Sequence, residues 1–199
     1  MENFWDQRYS EPGFAYGREP NDFFRHIIDE LSPGKLLLPG EGEGRNAIYA
    51  ASRGWEVTAF DQSRIAREKA LNWAGEMGLQ LEYLLADISA FTCAFPEYDL
   101  IAMVYIHLPP SIRHMVHQKL TACIKPGGII IMECFHKSQL NYGTGGPPVE
   151  ELLYLEEDLM TDFSQLEITK CEQQILDIHE GEYHSGKSSI IRLIAQKPL

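Results

Sequence analysis

Apolar and polar positions change period along this chain, and the period separates helices from strands. Phe23, Phe24, Ile27, Ile28 and Leu31 recur at the spacing of one helix face, with Asn21 able to cap the first turn and Pro33-Gly34 ending it. Lys35 to Leu38 reads as a strand, and a glycine-rich turn follows it. Asn46 to Gly54 reads as a short helix with a glycine stop, and Glu56 to Phe60 as a second strand. From Ser63, a suitable N-cap, Ile65, Leu71, Trp73, Ala74 and Met77 mark a helix that Gly78 can close. Leu81 to Leu85 and Tyr98 to Tyr105 read as strands, Ser111 to Ile124 as a helix, and Gly128 to Phe135 as a strand apolar on both faces. Continuous apolar strands separated by helices imply a parallel sheet covered on both sides.

The C-terminal stretch behaves differently. A helix over about Glu150 to Phe163 precedes two strands, Leu166 to Ile178 and Ser188 to Lys197, joined by a polar turn from Glu180 to Gly186. The expected fold is therefore α/β: a doubly wound, seven-stranded, mostly parallel sheet closed by an antiparallel C-terminal hairpin. A nicotinamide-dependent oxidoreductase would continue with parallel units instead.

Composition narrows the picture. The 199 residues show no repeat or linker, so a single domain over 1–199 is expected, with 1–20 as a segment ahead of the first core helix. The run Ile129 to Met132 is too short to cross a bilayer, and the N-terminus is acidic and aromatic rather than basic then apolar. A net charge of −12, from 17 basic and 29 acidic residues, would repel a phosphate backbone, and no basic run offsets it. Neither nucleic acid nor membrane is an expected partner. Cys93, Cys123, Cys134 and Cys171 are widely spaced with no CxxC pair, so reduced thiols, a cytoplasmic setting and no metal site are expected.

In an open parallel sheet, ligands bind beyond the carboxyl ends of the strands. The turn after the first strand is Gly40-Glu41-Gly42-Glu43-Gly44-Arg45-Asn46, whose glycines let backbone approach a ligand ahead of a helix N-terminus. Its spacing is GxGxG rather than GxGxxG, which argues against the usual pyrophosphate turn. Asp61, at the tip of the second strand, can accept hydrogen bonds from ribose hydroxyls or cap the next helix. Asp87, after the third, can accept from an exocyclic amine with apolar Ile88 against a purine face, or can simply build the turn.

With Tyr98-Asp99-Leu100-Ile101 and Lys125-Pro126-Gly127-Gly128, these motifs follow one another as in the class I S-adenosylmethionine-dependent methyltransferases, which the chain resembles over nearly all its length. The resemblance implies the terminal hairpin too, and S-adenosylmethionine as cofactor with S-adenosylhomocysteine as product. It places Gly40, Glu41, Gly42 and Asn46 around the methionine part, Asp61 on ribose, and Gln62 and Ser63 beside the adenosine. Asp87 and Ile88 fall on adenine, and Tyr105 on the sulfonium side. One departure is Leu38, where the family usually carries an acid; Glu41 or Glu43 is the expected replacement.

Trp5 to Tyr9 and Phe14 to Asn21 resemble the N-terminal lid of bacterial small-molecule methyltransferases near the tellurite-resistance and thiopurine enzymes. Trp5, Tyr9 and Tyr16 are the aromatics expected to close over the sulfonium and its substrate, or else to staple the N-terminus to the core.

Methyl transfer needs a base only when the nucleophile arrives protonated. The stretch Tyr105-Ile106-His107-Leu108-Pro109-Pro110 lacks the Asn or Asp before Pro-Pro that marks methylation of base amino groups, which again argues against nucleic acid. Topology puts His107, His136, His179 and His184 over one rim, with His107 the first candidate base and His184 the second. His114 and His117 are expected to face solvent. The glycine-rich stretch Gln139 to Pro148 reads as a mobile flap, with Asn141, Tyr142 and His136 toward substrate. The expected function is methyl transfer to a small sulfur, selenium, tellurium or oxygen nucleophile, by a monomer or homodimer. The alternatives are a non-catalytic S-adenosylmethionine- or S-adenosylhomocysteine-binding protein of the same fold and, further off, a nicotinamide-dependent oxidoreductase.

Overall fold

The computed structural model describes residues 4–199; the first three positions of the N-terminal segment lie outside the described residues. A seven-stranded sheet runs in the order β3-β2-β1-β4-β5-β7-β6. Its strands are β1 (Lys35–Pro39), β2 (Glu56–Asp61), β3 (Glu82–Leu85), β4 (Tyr98–Val104), β5 (Ile124–Phe135), β6 (Glu167–Glu180) and β7 (His184–Gln196). Six run in the same direction, and β7 runs antiparallel between β5 and β6, as expected. The helices are α1 (Phe4–Tyr9), α2 (Asp22–Glu30), α3 (Arg45–Ser52), α4 (Arg64–Glu76), α5 (Pro110–Cys123) and α6 (Glu156–Asp162).

The continuous apolar strands serve both faces. Leu37, Ile101, Met103, Ile130 and Met132 point into one core with Tyr154 and Phe163, whereas Leu36, Leu38, Leu100, Ala102 and Ile131 point into the other with Phe24 and Ala47. Caps start the helices where the sequence places them: the Asn21 side chain accepts from Phe24 N, and Ser63 Oγ from Ala66 N. Strand order reverses between β1 and β4, which opens a crevice at their carboxyl ends.

Several expectations are corrected. The helix over Glu150 to Phe163 is broken into a 3₁₀ turn, Glu150–Leu152, and α6. Tyr154 lies between them and pairs in parallel with His136, so burial of Leu153 and Tyr154 against the sheet overrides the helical pattern. The hairpin turn is only Gly181 to Tyr183; Glu180 pairs with His184, and Ser185 and Gly186, which read as turn, are paired strand residues. Cys93 and Cys123, 30 residues apart with no motif between them, form a disulfide that ties the turn after β3 to the end of α5. The expectation of four reduced thiols therefore fails for this pair, while Cys134 and Cys171 are free.

His117 is also corrected: it is fully buried, while His114 remains exposed. Asp162 accepts from His117 Nδ1 and Arg113 Nε, each at 2.8 Å, and from His114 Nδ1 at 2.9 Å, clamping α5 to α6. Burial works to raise the Asp162 pKa, but the hydrogen bonds from His117 and His114 outweigh it and hold the carboxyl at about 2. A depressed carboxylate stabilises the fold above its unfolded value of 3.8, and that contribution is lost as pH falls toward about 2. The urea midpoint should accordingly drop more steeply over that interval in the wild type than in Asp162→Asn; parallel curves would refute the clamp.

Candidate active site

A cleft of about 1260 Å³ opens at the crevice between β1 and β4. Its floor begins at Gly40, in the left-handed region at φ 58°, where a Cβ would come within 2.9 Å of Ile106 Cδ1. The α3 N-terminus starts on Gly44, which has no side chain to cap it. Glu41 supplies the cap: its Oε1 accepts from Asn46 N and Ala47 N, both at 2.8 Å, leaving Oε2 only a 3.3 Å contact with Asn46 Nδ2. Burial pushes the Glu41 pKa up to about 7. Glu43 is turned away from the cleft, accepting from Ala15 N and Lys69 Nζ, so it ties down the N-terminal segment. Leu38 is core.

Asp61, at the end of β2, is 7% exposed and still lines the cleft. Oδ2 accepts from Gly42 N at 3.0 Å and Oδ1 from Ser63 N at 2.8 Å, so backbone amides fix the carboxylate and leave acceptor positions open. Burial raises its pKa. Asp87 serves both sequence readings: it accepts from the Ser89 amide and hydroxyl, which hold its pKa low, and it lines the cleft with Ile88 and Gln62.

The opposite wall is aromatic. Tyr105 follows β4 at φ 54°, a strained conformation for a ring-bearing residue, held by stacking on Phe135 at 4.7 Å and by a hydroxyl hydrogen bond to Glu133 Oε1 at 2.8 Å. His184 sits among Tyr105 at 4.5 Å, Tyr16 at 4.6 Å and Phe135 at 5.1 Å. Above them Arg8 lies 3.6 Å over the Tyr183 ring, and Trp5 stacks on Tyr9 at 5.7 Å. The N-terminal segment thus covers the cleft as well as packing on the core.

A buried polar network supports this wall. Glu180 accepts from Arg45 at 2.6 Å and from Asn21 Nδ2 at 2.8 Å, and the same Asn21 Nδ2 donates to Glu133 at 2.6 Å. Glu133 also accepts from Arg192 Nε at 2.6 Å. Sequence reasoning missed Arg45, Glu133 and Glu180. One signal was available: Glu133 is the lone charge in the apolar run of β5, and a charge there requires buried partners.

The cleft gathers Trp5, Tyr9, Tyr16, Gly40, Glu41, Asn46, Asp61, Gln62, Asp87, Ile88, Tyr105, His107 and His184. Others are corrected. Gly42 lies beneath it, its amide given to Asp61 and its carbonyl to the Tyr83 hydroxyl. Ser63 is fully buried, caps α4 and donates to Asp6, which anchors α1. His136 faces away, bonded to Ser138 and placed 3.6 Å from Glu156, and His179 is exposed on β6. Asn141 and Tyr142 lie off the cleft, which Leu140 and Gly143 to Pro148 line in their place. The expected flap is pinned: buried Gln139 donates to Thr144 Oγ1 and Gly145 O and accepts from Ser189 N. His107 Nδ1 donates to Leu152 O at 2.8 Å, and Nε2 takes the Phe135 amide at 3.4 Å. Both nitrogens are thus engaged, and burial lowers the pKa to about 4, so the ring is a poor base. Among the described residues no cluster of three His, Cys, Asp or Glu could hold a metal ion, and no helix is long and apolar enough to cross a membrane.

Residues 37–128 match a family described as a methyltransferase domain. The chain is 26% identical over 137 residues to a probable thiol methyltransferase 2 of Arabidopsis thaliana, covering 66% of this chain and 59% of that protein. It is 25% identical over 179 residues to hemagglutinin 1 of Eikenella corrodens, covering 87% and 58% respectively. It therefore spans under two thirds of the length of these curated relatives. Among solved structures, the N-methyltransferase NodS of Bradyrhizobium japonicum in complex with S-adenosylhomocysteine superposes with a TM-score of 0.74 at 14% identity, covering 98% of this chain and 97% of that one.

Proposed function

We propose that this chain, which has the class I fold of the S-adenosylmethionine-dependent methyltransferases and a methyltransferase domain over residues 37–128, binds S-adenosylmethionine and methylates a small-molecule nucleophile. The observation that carries the reading is Asp61: a carboxylate locked by two backbone amides at the tip of β2, with acceptor positions left over beside the cleft.

The donor set fits the cofactor. Asp61 would take the ribose hydroxyls, Asp87 and Ile88 the adenine, and Glu41 Oε2 the ammonium in place of an acid at Leu38. The rings of Tyr16 and Tyr105 suit a sulfonium cation. When bound, the cofactor supplies an activated methyl carbon on a sulfonium leaving group. The chain's own work is to orient, to exclude water with α1 and Tyr183, and to accept a proton where the acceptor carries one. Of the two cleft histidines, His107 has both nitrogens engaged, whereas His184 Nε2 makes no hydrogen bond with the described residues. A sulfur nucleophile is favoured over selenium, tellurium or oxygen by the thiol methyltransferase likeness.

Calorimetric titration with S-adenosylmethionine and S-adenosylhomocysteine, then product analysis with thiophenol, 2-mercaptoethanol, selenite, tellurite and phenol, tests the reading. Binding in the micromolar range with methylation of at least one thiol is expected. Binding without turnover on any acceptor would favour a non-catalytic binding protein, and binding of NADH instead would favour an oxidoreductase.

A further inference from the structure

We propose that Glu180 is a positioning residue that holds the His184 imidazole with Nδ1–H toward its own carboxylate, leaving a bare Nε2 to take the proton of a thiol acceptor. This inference rests on the methyltransferase reading and deepens it, since it assigns a protonated nucleophile to the site.

His184 is 6% exposed, and its Nδ1 is sealed from solvent with no hydrogen-bond partner. The nearest acid is Glu180 Oε2, 3.8 Å away, within ion-pair reach and just beyond hydrogen-bond length. A sealed lone pair aimed at a carboxylate is repelled, while an N–H there is attracted, so the proton belongs on Nδ1. Nε2 makes no hydrogen bond with the described residues, and the residue lines the cleft. Tyr16, Tyr105 and Phe135 wedge the ring on its faces and edges.

Glu180 is itself held by hydrogen bonds from Arg45 of α3 and from Asn21 at the start of α2. Burial acts to raise its pKa, but His184 and Arg45 outweigh it and keep the carboxyl at about 2, so it stays a fixed anion and not a proton acceptor. Burial lowers the His184 pKa, Glu180 opposes this, and Arg45 and Arg8 add to it, so the ring is neutral near pH 7. Tyr16 and Tyr105 face the ring as neutral phenols, their pKa raised by burial, with Tyr183 beside Tyr16. Glu133 accepts from the Tyr105 hydroxyl, and His107 stacks on Phe135 at 5.7 Å.

In the transfer, the S–H proton passes to Nε2 and the thiol sulfur keeps its electron pair, which forms the new S–CH₃ bond. The old C–S bond breaks with its pair returning to the sulfonium sulfur, which becomes a neutral thioether. The imidazolium then faces Glu180 and later releases its proton to solvent.

Long-range ¹H–¹⁵N correlation spectra of the ligand-free protein read the tautomer directly. At neutral pH the wild type should show His184 protonated on Nδ1 and bare on Nε2. In Glu180→Gln the Nε2–H form should gain population, and the imidazole pKa should fall because the anion is gone. With thiophenol the plateau kcat of Glu180→Gln should drop about tenfold or more. The acid limb of kcat/KM should move to lower pH, with S-adenosylmethionine affinity held within about twofold, and Glu180→Asp should restore part of the rate. A wild-type Nε2–H tautomer, or a Glu180→Gln profile that overlays the wild type, would overturn the proposal. If Glu180→Gln does not fold, the wild-type tautomer decides. A correct tautomer in a protein that binds no S-adenosylmethionine would overturn the methyltransferase reading and the catalytic half of this proposal with it.

Discussion

Asp61→Ala should weaken S-adenosylmethionine binding by about 3 kcal/mol or more, roughly a hundredfold in affinity. Hydrogen bonds to a charged group contribute about 1.5–3 kcal/mol each, and the Asp61 carboxylate is placed to accept two from a ribose. Its loss also frees the Gly42 and Ser63 amides, which it holds at 3.0 and 2.8 Å, so the glycine turn and the α4 cap loosen together. Asp61→Asn separates these effects, because its side-chain oxygen can still accept one amide while the charge is gone. It should retain most of the melting temperature and lose most of the affinity. Calorimetric titration beside thermal unfolding reads both, and an Asp61→Ala affinity within about threefold of wild type would remove the residue from the site.

Glu133→Leu should destabilise the fold by about 3–5 kcal/mol, the cost of breaking a buried charged network from one side. Glu133 is 1% exposed and accepts from Arg192, Asn21 and Tyr105. Leucine would leave a guanidinium, an amide and a phenol without that acceptor in an apolar wall. The effect should reach the cleft as well, because the Tyr105 hydroxyl bond helps hold that residue at φ 54°. Glu133→Gln keeps an acceptor and should cost less, about 1–2 kcal/mol. Adding Arg192→Met to Glu133→Leu should recover stability, since the unpaired charge goes with it. Urea unfolding measures all three, and a Glu133→Leu midpoint near wild type would mean that the network is not coupled to folding.

The local signals in the sequence are strong where one residue decides the outcome. Asn21 and Ser63 cap the helices they precede, and the leucines of β1 alternate between the two cores. Asp61 and Asp87 end on the cleft because each follows a strand whose carboxyl end faces it. The lid was legible as aromatic residues, but Arg8 over Tyr183 was not, since that contact joins α1 to the hairpin turn.

Period and punctuation along the chain determined the alternation of strands and helices, the antiparallel closure, and the acids at the strand tips, because each depends on residues within a few positions of one another. Tertiary structure alone decided which of the clustered candidates reach the cleft and with which atoms. Glu41 rather than Glu43 faces the cleft because the α3 N-terminus needs a cap and Lys69 claims the other acid. His107 has neither nitrogen bare, because Leu152, 45 residues away, takes Nδ1 and the Phe135 amide takes Nε2, whereas His184 Nε2 makes no hydrogen bond with the described residues. Burial and long-range pairing, which set proton affinity and orientation, arise from contacts between distant segments, and no local pattern encodes them.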